Sequence, residues 1–452
     1  MKIITRFPPS PTGNMQLGNA RTALFNYLFA KNKGGSFLFR LEDTDKERSK
    51  KEFEIDITDS MKWLGLTYDN TVVWRQTERT DIYKAQLKKL VDTGHAYVSK
   101  ETDQPQKTEE SYTAHKQDGE RRAEVIRFKN PNKSITFTDL IRGDITFDTT
   151  ELGDFVIAKS MEEPIYHLAV VIDDAEMGIT HVIRGEDGIS NTPRQILIQE
   201  ALGFTRPTYA HLPLILAPDR TKLSKRKGAI PVSEYRARGY LPEAVVNYLT
   251  LLGWNPGTDQ ELFSIDELIQ AFDISKVQKS GAVFDEEKMK NVNREYIKKR
   301  GKEALLPYMP EKLTQNKSTL QLETLCEIVF DRISVYGDIR ADVDAGEYDY
   351  AITRPNYPKE QLVWKKAKSE PLAHLEKAVE LLKDISAESF SKDGVKNALM
   401  PYAETAGKGD VLWPVRVALS GRDQSPDPFT LATLLGKDET LERLSFAIEL
   451  LR

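Results

Sequence analysis

Arg6-Phe-Pro-Pro-Ser-Pro-Thr-Gly-Asn-Met-Gln-Leu-Gly-Asn-Ala-Arg21 leads out of a β-prone stretch, residues 2–7, and into Thr22-Ala-Leu-Phe-Asn-Tyr-Leu-Phe-Ala-Lys31, whose apolar spacing is helical. Gly34-Gly35 ends that helix, and Ser36-Phe-Leu-Phe-Arg-Leu41 reads as a second strand. Strand, helix and strand in that order predict a parallel α/β sheet. Ligands of such sheets bind beyond the carboxyl ends of the strands. The Pro/Gly turn and Glu42-Asp-Thr-Asp45 both fall at that edge.

The turn has chemistry of its own. Pro8, Pro9 and Pro11 stiffen it, Gly13 permits tight chain reversal, and Gly18 lets a ligand approach the main chain. The helix behind it offers unpaired N–H groups to an anion. Alone this is a weak signal, because Pro/Gly turns before helices are common. A second segment adds to it: Lys222-Leu-Ser-Lys-Arg-Lys-Gly228 puts four cations into six residues, between small residues that suit a phosphate-embracing loop. Its bland reading is a solvated basic loop. Together the two segments could grip a nucleotide triphosphate from two sides. Arg6, Ser10 and Glu42 sit at strand ends, where a cation and a carboxylate suit a zwitterionic amino acid. Arg184 stands beside Gly185-Glu-Asp187. For each charge taken singly, a surface ion pair worth under about 1 kcal/mol is the simpler reading.

Working outward, residues 98–122 are polar and lysine-rich, and strand signals resume at Glu124–Phe128 and Asp144–Asp148. A β-containing insertion from about 82 to 165 accounts for them. Tyr166-His-Leu-Ala-Val-Val-Ile-Asp173, His181-Val-Ile-Arg184 and a helix from about Thr192 to Leu202 form a second α/β stretch. From about 240 onward the periodicity is helical. Pro242 suits a first helical turn and Gly253 a stop.

The 452 residues allow two to four domains. Net charge is −5, from 64 basic and 69 acidic side chains, so any nucleic-acid contact must come from a local basic face. Cys326 is the single cysteine, which excludes a disulfide scaffold and a Cys-based zinc site and predicts a buried packing residue. No signal peptide and no membrane-spanning run is read from the sequence. No Gly-x-Gly-x-x-Gly follows the first strand, against a nucleotide-cofactor oxidoreductase.

Five segments in order resemble the glutamate–tRNA ligases, class I aminoacyl-tRNA synthetases, through nearly the whole chain. Arg6–Gly13 is similar to the family's opening, which leads into its H-I-G-H motif. Arg40–Asp45 is similar to its glutamate-pocket strand. Tyr166-His-Leu-Ala and Val182–Asp187 resemble the second half of its active site, and Lys222–Arg226 resembles its K-M-S-K-S loop. Leu412–Arg422 with Ser425–Phe429 resembles its anticodon-reading helical region.

The resemblance implies a Rossmann-like parallel-sheet catalytic domain with an α+β acceptor-binding insertion, followed by an all-α anticodon-binding region. The corresponding divisions are 1–81, 82–165, 166–215, 216–300 and 301–452. It implies ATP as substrate with Mg²⁺, and glutamate passed through glutamyl-adenylate to tRNA(Glu), with tRNA(Gln) as the open alternative. It also implies a cytoplasmic monomer that needs bound tRNA for efficient activation. By carry-over Arg184 pairs with the substrate's side-chain carboxylate, Arg6, Ser10 and Tyr166 share that pocket, and Glu42 holds the ammonium. Thr12, Gly18, Glu186, Asp187, Leu223, Ser224, Lys225 and Arg226 line the nucleotide site, with Lys222 and Lys225 clamping phosphates. Lys298-Lys-Arg300 and Lys365-Lys366 are candidate phosphate contacts or, equally, solvated helix faces.

The chain departs from the family's pattern in several places. Gln16 stands where the first histidine of H-I-G-H is usual; it still donates but cannot become cationic. Pro8, Gly188, Lys227 and Asn291 also differ from the usual alanine, histidine or aromatic, histidine and nearby tryptophan. Ala96-Tyr-Val-Ser99 lacks the cysteines of the family's zinc-bearing members, so no zinc is expected. The competing reading is a tRNA-binding paralogue with impaired catalysis. Gln16 favours it, and the retained Lys222–Arg226 segment counts against it.

Overall fold

The computed structural model describes residues 2–100, 124–223 and 230–452. Ser224, Lys225, Arg226 and Lys227 lie outside the described residues. The chain forms two compact units, residues 1–236 with 242–289, and residues 237–241 with 290–452.

In the first unit, β1 (Ile4–Phe7) runs into α1 (Leu17–Asn32), which returns to β2 (Ser36–Leu41). α1 buries nearly its whole circumference, including Leu17, Ala20, Leu24, Phe25 and Leu28. Gly34 takes φ +62° at the reversal, and a Cβ on Gly35 would lie 2.2 Å from the Ile3 carbonyl oxygen. β1 and β2 pair in parallel from Ile4–Ser36 to Phe7–Phe39. After α2 (Lys51–Trp63), the short β3 (Trp74–Arg75) adds in parallel to β2.

The insertion begins with α3 (Thr80–Asp92). β4 (Ala96–Lys100), β5 (Glu124–Phe128), β8 (Phe155–Ser160) and β9 (Glu163–Pro164) form one antiparallel sheet in that order. β6 (Ser134–Asp139) and β7 (Gly143–Asp148) form a hairpin that leaves this sheet. α4 (Tyr166–Glu176), β10 (His181–Gly185), α5 (Thr192–Leu202) and β11 (Thr208–Leu212) complete the second half.

β10 and β11 pair in parallel, and β11 takes the insertion's β6 at Tyr209–Asp139. β10 also lies beside β1. The Ile4 N–H donates to Thr180 Oγ1 at 2.8 Å, and the Thr180 N–H to the Ile4 carbonyl at 3.0 Å. Higher up the two strands are bridged by Asn26 of α1, which donates to the Ile183 carbonyl at 2.9 Å while its own carbonyl accepts from Thr5 Oγ1 at 3.0 Å. The chain leaves β1 to one side for β2 and β3, and returns on the other for β10 and β11. β1 and β10 therefore flank the point where strand order reverses, and their carboxyl ends share one edge.

The unit continues through β12 (Ile215–Leu216), which pairs with β13 (Ala282–Val283), and through α6 (Val232–Ala237), α7 (Pro242–Leu251) and α8 (Ile265–Ala271). The second unit is helical, including α11 (Thr319–Phe330), α13 (Pro371–Lys383), α15 (Lys408–Ser420), α16 (Pro428–Leu435) and α17 (Lys437–Leu451), with α9 (Glu286–Arg300), α10 (Glu311–Thr314), α12 (Gly337–Asp344) and α14 (Lys392–Ala406) between and around them. Cys326 is buried in α11, as its apolar setting predicts. Ser318 and Gln321 close a capping box on α11, and Asp427 caps α16.

Candidate active site

The carboxyl edge gathers a buried charge cluster. Arg6, at the end of β1, gives Asp174 of α4 two hydrogen bonds, 3.1 and 3.3 Å. Arg40 of β2 reaches the same carboxylate with Nη1 and donates to Glu42 Oε1 at 2.9 Å with Nη2. Asp173 accepts from Gln76 Nε2 at 3.0 Å, Arg79 Nε at 2.8 Å and the Tyr83 hydroxyl. Three arginines thus meet three carboxylates, all of them buried except the partly exposed Arg79. Burial alone would raise the Asp174 carboxyl, but Arg40 and Arg6 hold it below the usual carboxylate range. Burial wins at Glu42, whose carboxyl is pushed up despite Arg40 and Arg6. Burial, helped by Glu42, likewise raises the Tyr166 hydroxyl. Arg6 is only 2% exposed, and its Nη1 has no hydrogen-bond partner among the described residues. That buried donor is suited to an incoming carboxylate.

The second wall is built by β10, β11 and the short 3₁₀ turn Glu186–Asn191. Arg184 donates from Nε to His211 Nε2 at 3.1 Å, from Nη1 to Gln195 Oε1 at 2.8 Å, and from Nη2 to Thr192 Oγ1 at 2.7 Å. His211 is held in turn by Asp139 of β6, through both its backbone N–H at 2.9 Å and Nδ1 at 2.6 Å. Burial keeps the His211 imidazole below its ordinary pKa even beside Asp139.

The turn between β1 and α1 is pinned from below. The Pro9 carbonyl accepts from the Glu42 N–H and the Pro11 carbonyl from the Lys50 N–H, both at 3.0 Å. Ser10 is exposed and Thr12 partly so at the top of this turn, and a Cβ on Gly18 would meet nothing within 4 Å. Gln16 opens α1. Its Nε2 donates to the Asn14 carbonyl at 3.1 Å, and its Oε1 has no partner among the described residues. Gln16 also bridges to Pro231, while the Val232 N–H donates to the Met15 carbonyl at 2.8 Å. On the other flank of the basic segment, the Leu223 N–H donates to the Ile215 carbonyl at 2.9 Å and Lys222 Nζ lies 3.6 Å from Asp187 Oδ2. The residues on either side of 224–229 are therefore fixed to this same edge.

The fold brings Arg6, Ser10, Glu42, Tyr166 and Arg184 to one edge, together with Thr12, Gln16, Gly18, Glu186, Asp187, Lys222 and Leu223. Ser224, Lys225 and Arg226 fall outside the described residues. Glu186 is tied down rather than open: Oε2 accepts from Arg142, and Oε1 accepts the Leu214 N–H at 2.8 Å. Sequence reasoning missed Arg40, Asp139, Asp173, Asp174 and His211. The adjacent carboxylates Asp173 and Asp174, inside an otherwise apolar run, were the available signal.

Residues 2–291 match the family described as tRNA synthetases class I (E and Q), catalytic domain, and residues 301–448 match an anticodon binding domain. The chain is 38% identical to a glutamate–tRNA ligase of Carboxydothermus hydrogenoformans, over 98% of this chain and 99% of that protein. It is 41% identical to one of Syntrophobacter fumaroxidans, over 99% and 98%. A crystal structure of a glutamate tRNA ligase from Elizabethkingia meningosepticum, in complex with its amino acid, covers the whole of both chains with a TM-score of 0.87 at 32% identity.

Proposed function

The chain belongs to the glutamate–tRNA ligases of class I, and from that premise we propose that the carboxyl edge of its sheet carries both steps of tRNA charging. The enzyme attaches glutamate to tRNA. In the first step a glutamate α-carboxylate oxygen attacks the α-phosphorus of ATP, and diphosphate leaves. In the second, a hydroxyl of the terminal adenosine of tRNA attacks the activated carbonyl, and AMP leaves.

The residues act by positioning and by meeting charge as it develops. Arg184 pairs with the glutamate side chain. Arg6 completes that pocket with its unpartnered Nη1, Ser10 and Tyr166 hydrogen-bond the substrate, and Glu42 faces the ammonium. Thr12, Gly18, Glu186 and Asp187 line the nucleotide site. Gln16 donates toward the reacting phosphate, with Lys222 and Lys225 as phosphate clamps. Mg²⁺ enters as the companion of ATP. Among the described residues no group of three or more His, Cys, Asp or Glu is placed to hold a metal, which fits an ion carried mainly by phosphate oxygens and water. We place the reaction in the cytoplasm on the strength of the family likeness; separately, no helix among the described residues is long and apolar enough to cross a membrane.

The observation that carries this reading is the meeting, at one sheet edge, of the Arg6–Glu42 cluster with the two anchored flanks of the Lys222–Gly228 segment. Aminoacylation with glutamate, using purified tRNA(Glu) and tRNA(Gln) side by side, tests it. Charging of tRNA(Glu) supports the reading, and charging of tRNA(Gln) as well identifies a non-discriminating enzyme. Tight tRNA binding with no ATP–diphosphate exchange would instead identify a binding paralogue.

A further inference from the structure

Gly188 lies directly against the guanidinium of Arg184. A Cβ built on it would fall 2.5 Å from Arg184 Nε, 2.8 Å from Cδ and 3.1 Å from Cζ. No side-chain carbon fits at that distance, so a Cβ at residue 188 would force Arg184, or the turn that carries residue 188, to shift. Gly188 does not have positive φ. Its lack of a Cβ is therefore not explained by backbone conformation.

The rest of the seat has a defined polarity. The Asp139 carboxylate accepts from His211 Nδ1–H, which leaves Nε2 of the neutral ring as a lone-pair acceptor. That lone pair faces Arg184 Nε–H. A ring with the proton on Nε2 would set two N–H groups against each other. Gln195 and Thr192 take one N–H from each terminal nitrogen, and Thr192 donates onward to the Gly188 carbonyl at 3.2 Å. A guanidinium has five N–H groups, so one remains on each terminal nitrogen. Two donors on adjacent nitrogens match the two oxygens of a carboxylate.

We propose that Gly188 and the Asp139–His211 pair are positioning residues that set the affinity for glutamate by fixing where Arg184 presents its two remaining N–H groups. This rests on the ligase reading above, because it assigns the recognised carboxylate to the glutamate side chain. The residues act through Arg184 and do not touch the reacting phosphorus. Their effect falls on amino-acid binding, not on nucleotide binding or the chemical step.

The test is Gly188→Ala in the full chain. Glutamate-dependent ATP–diphosphate exchange is measured with tRNA present, alongside crystal structures of wild type and variant. The expected result is a rise of about tenfold or more in KM for glutamate, with kcat and KM for ATP within about threefold. Arg184 should also be displaced from His211 in the variant crystal. A glutamate KM within about twofold of wild type, or a fall in it, overturns the proposal, as does an equal rise in KM for ATP. Wild type with no glutamate-dependent exchange would sink the ligase reading instead. The crystals would still judge the seat, because Arg184 unmoved by the added methyl group, or absent from His211 in wild type, refutes it.

Discussion

Arg6 and Asp174, 168 positions apart, face each other through two hydrogen bonds of 3.1 and 3.3 Å. The pair ties the first strand to the helix that follows the insertion. Asp174 also answers Arg40, so one carboxylate offsets two buried cations. Asp174→Asn should therefore cost about 3–5 kcal/mol, since removing one partner leaves uncompensated buried charge. Urea unfolding of the variant checks this. A loss below about 1 kcal/mol would mean that the cluster is wetter than its burial indicates.

Gln16 is the departure we propose to bear most directly on rate. Its amide already spends one N–H on the Asn14 carbonyl and cannot carry positive charge. Gln16→His should raise ATP–diphosphate exchange by up to about 10²-fold, the scale of one transition-state donor. An unchanged rate would show that this position does not limit activation.

Arg184→Ala removes the cation assigned to the glutamate side chain. Loss of a charged hydrogen-bonding partner is worth about 1.5–3 kcal/mol, so kcat/KM for glutamate should fall by roughly tenfold to a hundredfold or more. Steady-state exchange at varied glutamate measures it. An unaltered KM for the amino acid would refute the assignment.

One buried imidazole, His211, and one half-buried imidazole, His167, predict acid sensitivity. Burial lowers His167 to about 4, with Arg194 and Arg184 adding to the shift, and burial also lowers His211. Well above pH 6.5 both are uncharged in folded and unfolded chains and contribute no pH dependence. As pH falls below about 6.5, the unfolded chain takes up protons that the folded chain refuses. Stability should therefore drop by up to about 1.4 kcal/mol per pH unit for each histidine, for His167 down to about pH 4. Denaturant melts between pH 7 and 4 should show the slope, and His167→Gln should flatten it in part. His211 should sustain a shallower slope in that variant, and a slope as steep as in wild type would place its origin elsewhere.

In the helical unit, Asp427 accepts the Phe429 and Thr430 N–H groups at 3.0 Å each and so opens α16. Asp427→Ala should cost about 1 kcal/mol of stability. Thermal unfolding of the variant measures it. A melting point equal to wild type would show that water satisfies those donors equally well.

The first α/β unit was legible because its signals are local. An apolar helix between two β-prone runs, closed by Gly34-Gly35, admits few other readings. The same holds for Pro242 and Gly253, which start and follow α7. Tyr166–Asp173 was less determinate, since a short apolar run with β-branched residues suits a strand or a buried helix, and it folds as the start of α4. The cluster around Asp174 was hidden for another reason. Arg40, Asp173 and Tyr83 lie on separate elements and meet only once β2, α3 and α4 are packed. Asp139 was the least visible of all. It sits in a segment read as a separate insertion, yet β6 joins the catalytic sheet beside β11 and delivers its carboxylate under His211.

That attachment limits how this protein can be rearranged. A chimaera that exchanged residues 82–165 for a foreign module would also remove Asp139, leaving His211 without its anchor and Arg184 without a fixed ring to rest on. The seat of Arg184 and the 82–165 segment are thus inherited together, and any successful transplant must bring an acidic residue back to the place where β6 meets β11.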